Sequence, residues 1–188
     1  MVKPFSIAFL LVVAFHIQAK EPISTLCGNN EKAKQIASLI MNHSNQKRPQ
    51  LICNKKLNEI ALIKVNLLKS EKDISHTAGH TTPNHLLRKN GYDLSKRYPT
   101  LGNQVEAIAG GEKNSQVAFQ DFLDSESHRI LLLAEHPYFL EQNDIGVAYI
   151  YDKNTPFEHY WVVLFGDQDK DSTKVDLHKE FKLSPIKK

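Results

Sequence analysis

Two apolar runs near the end of the chain constrain its fold most strongly. Residues 145–151 and 160–165 carry apolar side chains at both odd and even positions, so neither run has a polar face. A strand of that kind must be covered by other structure on both sides of its sheet. The residues between the runs include Asn154 and Pro156, which favour a turn, and the two runs are therefore predicted to form a hairpin.

Helices that could cover such a sheet are predicted in the first half of the chain. Apolar spacings of three and four predict one helix over residues 31–42 and a second that begins after Cys53-Asn54. The positions at helical spacing in the second helix are Leu57, Ile60, Ala61, Lys64, Val65 and Leu68. Pro83 is well placed to begin a short third helix. The predicted fold class is therefore α+β: a three-layer α-β-α sandwich with a mainly antiparallel central sheet.

Two polar interruptions of apolar sequence mark a candidate site. Residues 117–123 form an amphipathic helical run, which a cluster of short polar residues interrupts just before His128. Glu106 interrupts the strand-like run 105–109, where an unpaired buried carboxylate would be costly. Glu106 must therefore face solvent, pair with a cation such as Arg129, or coordinate a ligand. Five further histidines stand in polar surroundings and are predicted to be surface residues: His43, His85, His136, His159 and His178.

The two ends of the chain differ in composition from its middle. Residues 1–19 carry Lys3, an apolar run and the small residue Ala19, which is typical of a secretory signal peptide; an uncleaved membrane anchor is the alternative. We therefore expect a secreted or periplasmic protein with no transmembrane span after cleavage. Residues 20–29 are predicted to be a leader, 30–166 the folded domain, and 167–188 a polar tail.

Charge and cysteine content limit the function further. The formal net charge of the chain is +3, which is too mild to imply nucleic acid or an anionic membrane as a partner. Cys27 and Cys53 are the two cysteines of the chain, and export would place them in an oxidising compartment. They are predicted to form a disulfide. The alternative is a catalytic thiol, although neither has a base or a CxxC partner nearby in sequence.

Seven short segments occur along the chain in a recognisable order. They are Leu51-Ile52-Cys53-Asn54 with Leu57, Ser75-His76-Thr77, Leu86 with Gly91-Tyr92, Glu106-Ala107-Ile108-Ala109 with Gly111, Phe122 with Ser125 and His128-Arg129, Ile145-Gly146-Val147, and Tyr160-Trp161-Val162 with Phe165-Gly166. In this order and at these separations, the chain resembles the CAP superfamily (the SCP, Tpx-1, Ag5, PR-1, Sc7 domain) in its short bacterial form. The resemblance covers residues 30–166.

This resemblance implies an α-β-α sandwich whose cleft holds two histidines and two acidic residues and often binds a divalent metal. Matched position by position, His76 and His128 are the two histidines and Glu106 is the first acid, so these three are the predicted metal ligands, with zinc the first candidate metal. The second acid has no clean match, and Asp124 or Glu126 could take its place.

Three functions are compatible with the resemblance. The leading one is an exported binding or interaction module whose cleft takes a small ligand, a lipid or a component of the cell envelope. The alternative is a metal-dependent extracellular hydrolase, in which His76 and His128 hold the metal and Glu106 acts as general base. The third is a structural envelope domain with a vestigial cleft. Ala107 replaces the usual Asn of the family's motif and Ser127 the usual Gly, so enzymatic activity is left open.

Overall fold

The structure, a computed structural model, describes residues 27–168. The predicted signal peptide (1–19), most of the predicted leader (20–29) and nearly all of the predicted tail (167–188) lie outside the described residues. The elements in chain order are α1 (Glu31–Met41), β1 (Ile52–Cys53), α2 (Lys55–Glu71), α3 (Pro83–Lys89), β2 (Glu106–Gly110), α4 (Ser115–Asp124), α5 (Glu126–Leu133), a short 3-10 helix (Pro137–Phe139), β3 (Asp144–Tyr151) and β4 (His159–Gly166).

The four strands form one sheet in the order β1-β3-β4-β2. The predicted hairpin is present: β3 and β4 pair antiparallel from Asp144 opposite Gly166 to Tyr151 opposite His159. Strand β2 pairs antiparallel with the other edge of β4. Strand β1, however, pairs parallel with β3. The prediction of a mainly antiparallel sheet is therefore corrected: the sheet is mixed, because a two-residue strand too short to show any sequence pattern joins its edge.

Helices cover both faces of this sheet, as the two apolar runs require. On one face, β-strand residues such as Val147 and Trp161 pack with α1, α4 and α5. On the other, residues such as Ala148 and Val162 pack with α2 and α3. Strand β4 is buried at every position because both layers cover it. Among the helices of residues 27–168, none combines the length and the apolar character needed to cross a membrane.

Helix α2 lies unusually close to β3, and Gly146 makes this approach possible. A Cβ atom at Gly146 would lie 2.5 Å from the backbone nitrogen of Asn58 and would also meet the backbone of Leu57. The side chain of Asn58 then accepts a hydrogen bond of 2.9 Å from the backbone N–H of Val147. These contacts fix the position of α2 on the sheet, and with it the position of Lys64 further along the same helix.

Candidate functional site

The three predicted ligands lie on the walls of one pocket. This pocket has a volume of about 360 Å³ and is lined by His76, Asn103, Gln104, Glu106, Ser127, His128, Ile130, Leu131 and Phe139. His76 comes from the loop that follows α2, Glu106 begins β2, and His128 lies on α5. Residues from three separate parts of the sequence thus meet at the edge of the sheet formed by β2. We call this pocket the cleft.

Glu106 is buried and paired. Its side chain is inaccessible to solvent, and its Oε1 atom accepts a hydrogen bond of 2.8 Å from His76 Nδ1 and lies 3.5 Å from Lys64 Nζ. Of the alternatives that the sequence left open for Glu106, the structure shows pairing with a cation, and that cation is Lys64. Arg129, the partner suggested from sequence, instead forms an ion pair of 3.1 Å with Glu135.

Lys64 is a member of the site that sequence reasoning missed. The side chain is fully buried, and its ammonium group donates a hydrogen bond of 2.7 Å to the backbone oxygen of His76. Burial lowers the pKa of Lys64, and the Glu106 carboxylate opposes this effect. The sequence did contain a signal for this role, because Lys64 occupies a position on the apolar face of an amphipathic helix. A lysine buried there requires a partner for its charge.

One oxygen of Glu106 is left without a partner. Glu106 Oε2 is buried and forms no hydrogen bond within the described residues. Buried polar atoms are nearly always hydrogen-bonded, because leaving one unpaired costs about 1–3 kcal/mol. Glu106 also belongs to the residues that line the cleft.

Asn103, also missed from sequence, holds the backbone of Glu106 in place. Its side-chain oxygen accepts a hydrogen bond of 2.9 Å from the Glu106 N–H, and its Nδ2 donates one of 3.0 Å to the Glu106 backbone oxygen. When the His76 ring is in its neutral form and donates to the Glu106 carboxylate, its proton lies on Nδ1. His76 Nε2 then remains as a hydrogen-bond acceptor on a side chain that is 41% exposed.

His128 is placed by the predicted break in the helical run. Helix α4 ends at Asp124 and α5 begins at Glu126, with Ser125 in an extended conformation between them. The His128 ring packs edge-on against Phe122, with 5.3 Å between ring centroids. Burial, followed by the charge of His76, lowers the pKa of His128. The imidazole is therefore neutral at neutral pH.

This lowered pKa predicts acid sensitivity of the fold. The unfolded chain would bind more protons at His128 than the folded chain as the pH falls below about 6.5, so stability is fully present above that value and decreases on acidification. We expect thermal melts in mildly acidic buffer to show a lower Tm than at neutral pH, and His128→Gln to lose part of this difference. His85→Gln, on the exposed side of α3, is the control. An unchanged acid dependence in His128→Gln would contradict the prediction.

The donor arrangement does not favour the predicted zinc site. The ammonium group of Lys64 lies 3.5 Å from Glu106 Oε1, and His76 Nδ1 is hydrogen-bonded to the same oxygen. Within residues 27–168, no group of three or more His, Cys, Asp and Glu side chains could hold a metal ion. Asp124 and Glu126, the candidates for a second acid, are absent from the lining of the cleft. His76, Glu106 and His128 thus share a pocket, and zinc binding stays a prediction.

The two cysteines are free thiols in the structure, which contains no disulfide between them. They nevertheless lie together: the Asn58 side chain donates a hydrogen bond of 3.1 Å to Cys53 Sγ and contacts Cys27 Sγ at 3.7 Å. A hydrogen bond from the Cys27 thiol lowers the pKa of Cys53 to about 7. The predicted disulfide stays a prediction for the exported protein.

The lowered pKa of Cys53 predicts a reactive thiol in the reduced protein. At neutral pH, Cys53 should react with iodoacetamide several times faster than an ordinary thiol of pKa about 8.5. Cys27→Ala should slow the reaction, because it removes the hydrogen bond that stabilises the thiolate. Peptide mass spectrometry measures both rates. Equal rates in the wild type and the variant would show that Cys27 does not activate Cys53.

A second, more apolar pocket adjoins the cleft. It has a volume of about 520 Å³ and is lined by Arg97, Pro99, Gln104, Ile130, His136, Tyr138 and Phe139. Gln104, Ile130 and Phe139 line both pockets. A ligand anchored at Glu106 could therefore extend along Ile130 and Phe139 into this second pocket, which we call the adjoining pocket.

Comparison with known proteins supports the fold. The sequence matches no protein-family model and no curated protein. Among solved structures, the chain is similar to an outer surface protein from Borrelia burgdorferi, with a TM-score of 0.59 and 22% identity, over 74% of this chain and 95% of that one. It is also similar to an extracellular protein containing an SCP domain from Bacillus anthracis, with a TM-score of 0.53 and 22% identity, over 72% of this chain and 40% of that one.

These likenesses show that the fold is similar to that of a protein containing an SCP domain. The resemblance to the CAP superfamily predicted from the sequence is thereby confirmed at the level of the fold. The chain spans less than half of the Bacillus anthracis protein, whose remaining part has no counterpart in this comparison.

Proposed function

We propose that the protein is an exported binding module whose cleft takes a small ligand with a hydrogen-bond donor and an apolar part. The observation that supports this most strongly is Glu106 Oε2, a buried carboxylate oxygen without a partner in a residue that lines the cleft. Ligand pockets commonly combine a few convergent polar groups with apolar walls in this range of volume.

The charges around Glu106 favour a neutral donor. Lys64 balances the carboxylate, and His128 is uncharged at neutral pH because burial lowers its pKa. A hydroxyl or amide N–H could bond to Glu106 Oε2 without adding an uncompensated charge to a partly buried site. The apolar part of the ligand would lie against Ile130 and Phe139 and reach into the adjoining pocket. A hydroxyl-bearing lipid or an apolar component of the cell envelope has this chemistry.

Two observations support export. Residues 1–19 have the pattern of a secretory signal peptide. In addition, the two similar structures are an outer surface protein and an extracellular protein. We therefore propose a secreted or periplasmic location, in which a cell-envelope ligand would be accessible to the cleft.

A pair of matched probes tests the binding function. 2-Phenylethanol carries a hydroxyl donor next to an apolar ring, whereas its methyl ether has nearly the same shape without the donor. In NMR titrations, the alcohol should shift the ring resonances of His76 and His128 saturably, and the ether should bind about tenfold more weakly, since about 1.4 kcal/mol corresponds to that factor.

Variants show whether Glu106 makes the distinction. Glu106→Gln should lose the preference for the alcohol, whereas Glu135→Gln, which alters a carboxylate paired with Arg129 away from the cleft, should keep it. Well-dispersed spectra of both variants confirm that they are folded. Equal affinity of the wild type for the two probes, or no response of either histidine, would contradict the proposed function.

One observation favours the alternative, a metal-dependent hydrolase. A histidine that donates Nδ1–H to a carboxylate, as His76 does to Glu106, is oriented in the way common for metal-binding imidazoles. In this arrangement Glu106 orients His76, which differs from its predicted role as ligand or general base. Calorimetric titration with zinc tests the alternative: a stoichiometric site lost in His76→Ala/His128→Ala would support it, and no saturable binding would exclude it.

A further inference from the structure

A second polar pocket lies at the turn end of the β3–β4 hairpin, on the face of the sheet that α1 covers. It has a volume of about 330 Å³ and is lined by Lys32, Lys113, Tyr149, Tyr151, Glu158 and His159. His159 begins β4. Leu164, the β4 residue that pairs with Glu106, lies five residues later, about 17 Å further along the strand. The pocket is thus separate from the cleft, and the proposed function does not use it. We call it the hairpin pocket.

Aromatic rings from both strands form its wall. The Tyr151 and His159 rings stack with their centroids 4.8 Å apart and their planes 25° apart. Tyr149 lies next along the row, and its ring centroid is 4.2 Å from that of Trp161. Tyr151, the outermost ring, is 55% exposed. A flat apolar surface could therefore pack against the exposed part of this ring.

His159 presents an N–H group to this pocket. It is only 7% exposed, so the prediction that His159 is a surface residue is wrong. The hairpin pairs His159 with Tyr151, and the two rings stack. Burial raises the pKa of Tyr149 and lowers that of His159, so the phenol keeps its proton and donates it to His159 Nδ1 at 2.7 Å. The neutral imidazole then carries its proton on Nε2, which has no partner among the described residues.

Charged groups of both signs complete the pocket. Lys32 lies over the Tyr149 ring, 5.3 Å from its centroid, and donates a hydrogen bond to the backbone oxygen of Lys113. The Lys113 side chain is exposed at the rim. Glu158 adopts a left-handed conformation with φ of 55° immediately before β4, which places a carboxylate on the same rim. The lining thus holds two ammonium groups and one carboxylate.

We propose that the hairpin pocket binds a sugar ring that carries a carboxylate. The C–H face of such a ring would pack against the exposed part of Tyr151, and its carboxylate would pair with Lys32 and Lys113. His159 Nε2–H would donate a hydrogen bond to one ring hydroxyl. The Glu158 carboxylate would accept a hydrogen bond from another. A neutral sugar would leave the excess positive charge of two lysines over one carboxylate unbalanced, and a simple anion would leave the exposed part of Tyr151 uncovered.

Titration with glucuronate, followed by NMR of the His159 ring, tests this proposal on the full mature chain. Glucuronate should shift the His159 resonances saturably and raise the pKa of His159, because a bound carboxylate stabilises the imidazolium form. Glucose and acetate, which each lack one of the two features, should bind at least about tenfold more weakly. A response to acetate as strong as that to glucuronate would overturn the proposal, and so would the absence of any response to glucuronate.

Variants at exposed positions separate recognition from folding. Tyr151→Ala and Lys113→Ala should each weaken glucuronate binding about tenfold. Lys153→Ala removes an exposed lysine from the hairpin turn, outside the pocket, and should bind like the wild type. Equal binding by all three variants would show that glucuronate lies elsewhere. Because this readout uses His159 and not the cleft histidines, its outcome is independent of the proposed function of the cleft.

Discussion

Replacing Lys64 with methionine should lower the free energy of unfolding by about 3–5 kcal/mol, the range expected when one partner of a buried ion pair is removed. The variant would leave the Glu106 carboxylate without its cation and the backbone oxygen of His76 without its donor. Methionine retains most of the volume of the lysine stem, so little of the effect would come from a cavity. Urea denaturation of the wild type and the variant measures the difference.

A double-mutant cycle tests whether Glu106 is the cause. Lys64→Met/Glu106→Gln removes both charges, and it should be more stable than the sum of the two single changes predicts. Lys69→Met, on the same helix but partly exposed, should change stability by no more than about 0.5 kcal/mol. A loss below about 1 kcal/mol in Lys64→Met would show that the buried pair contributes little.

Replacing Gly146 with alanine should cost at least about 3 kcal/mol or prevent folding, which is the upper range for overpacking. The added Cβ would meet backbone atoms of Leu57 and Asn58, which cannot rotate away as a side chain can. Helix α2 would have to move off β3, and the hydrogen bond from Val147 to Asn58 would be lost. Urea denaturation, or the yield of folded protein, measures the effect.

Gly91→Ala is the matched control for this substitution. Gly91 has φ of +81°, and a Cβ there meets no atom within 4 Å. Its replacement should cost only the about 1–2 kcal/mol of a left-handed alanine. If Gly146→Ala were as mild as Gly91→Ala, the close packing of α2 against β3 would be contradicted.

Local patterns were sufficient to predict most of the fold. The apolar runs predicted β3 and β4 and the need for two helical layers, and the polar cluster before His128 predicted the break between α4 and α5. Strand β1 could not be predicted, because the pairing of Ile52 and Cys53 with β3 depends on contacts between distant parts of the chain. The parallel pairing at that edge is what makes the sheet mixed.

The candidate site was only partly accessible from sequence. The family resemblance identified His76, Glu106 and His128, which the structure brings together in one pocket. Lys64 was correctly placed on the buried face of its helix, but its partner comes from a strand far along the chain, and helical spacing contains no information about that contact. The hairpin pocket was missed for the same reason, since its rings and lysines come from α1, the β2–α4 loop and the hairpin.

A crystal structure of the mature protein with 2-phenylethanol would test the central claim, that Glu106 Oε2 receives a donor from a ligand. We predict the hydroxyl oxygen within about 3 Å of Glu106 Oε2, the range of O–H···O hydrogen bonds, and the phenyl ring against Ile130 and Phe139. Lys64 should remain paired with Glu106. A ligand bound outside the cleft, or a metal ion held by His76 and His128 with Glu106 turned towards it, would contradict this account.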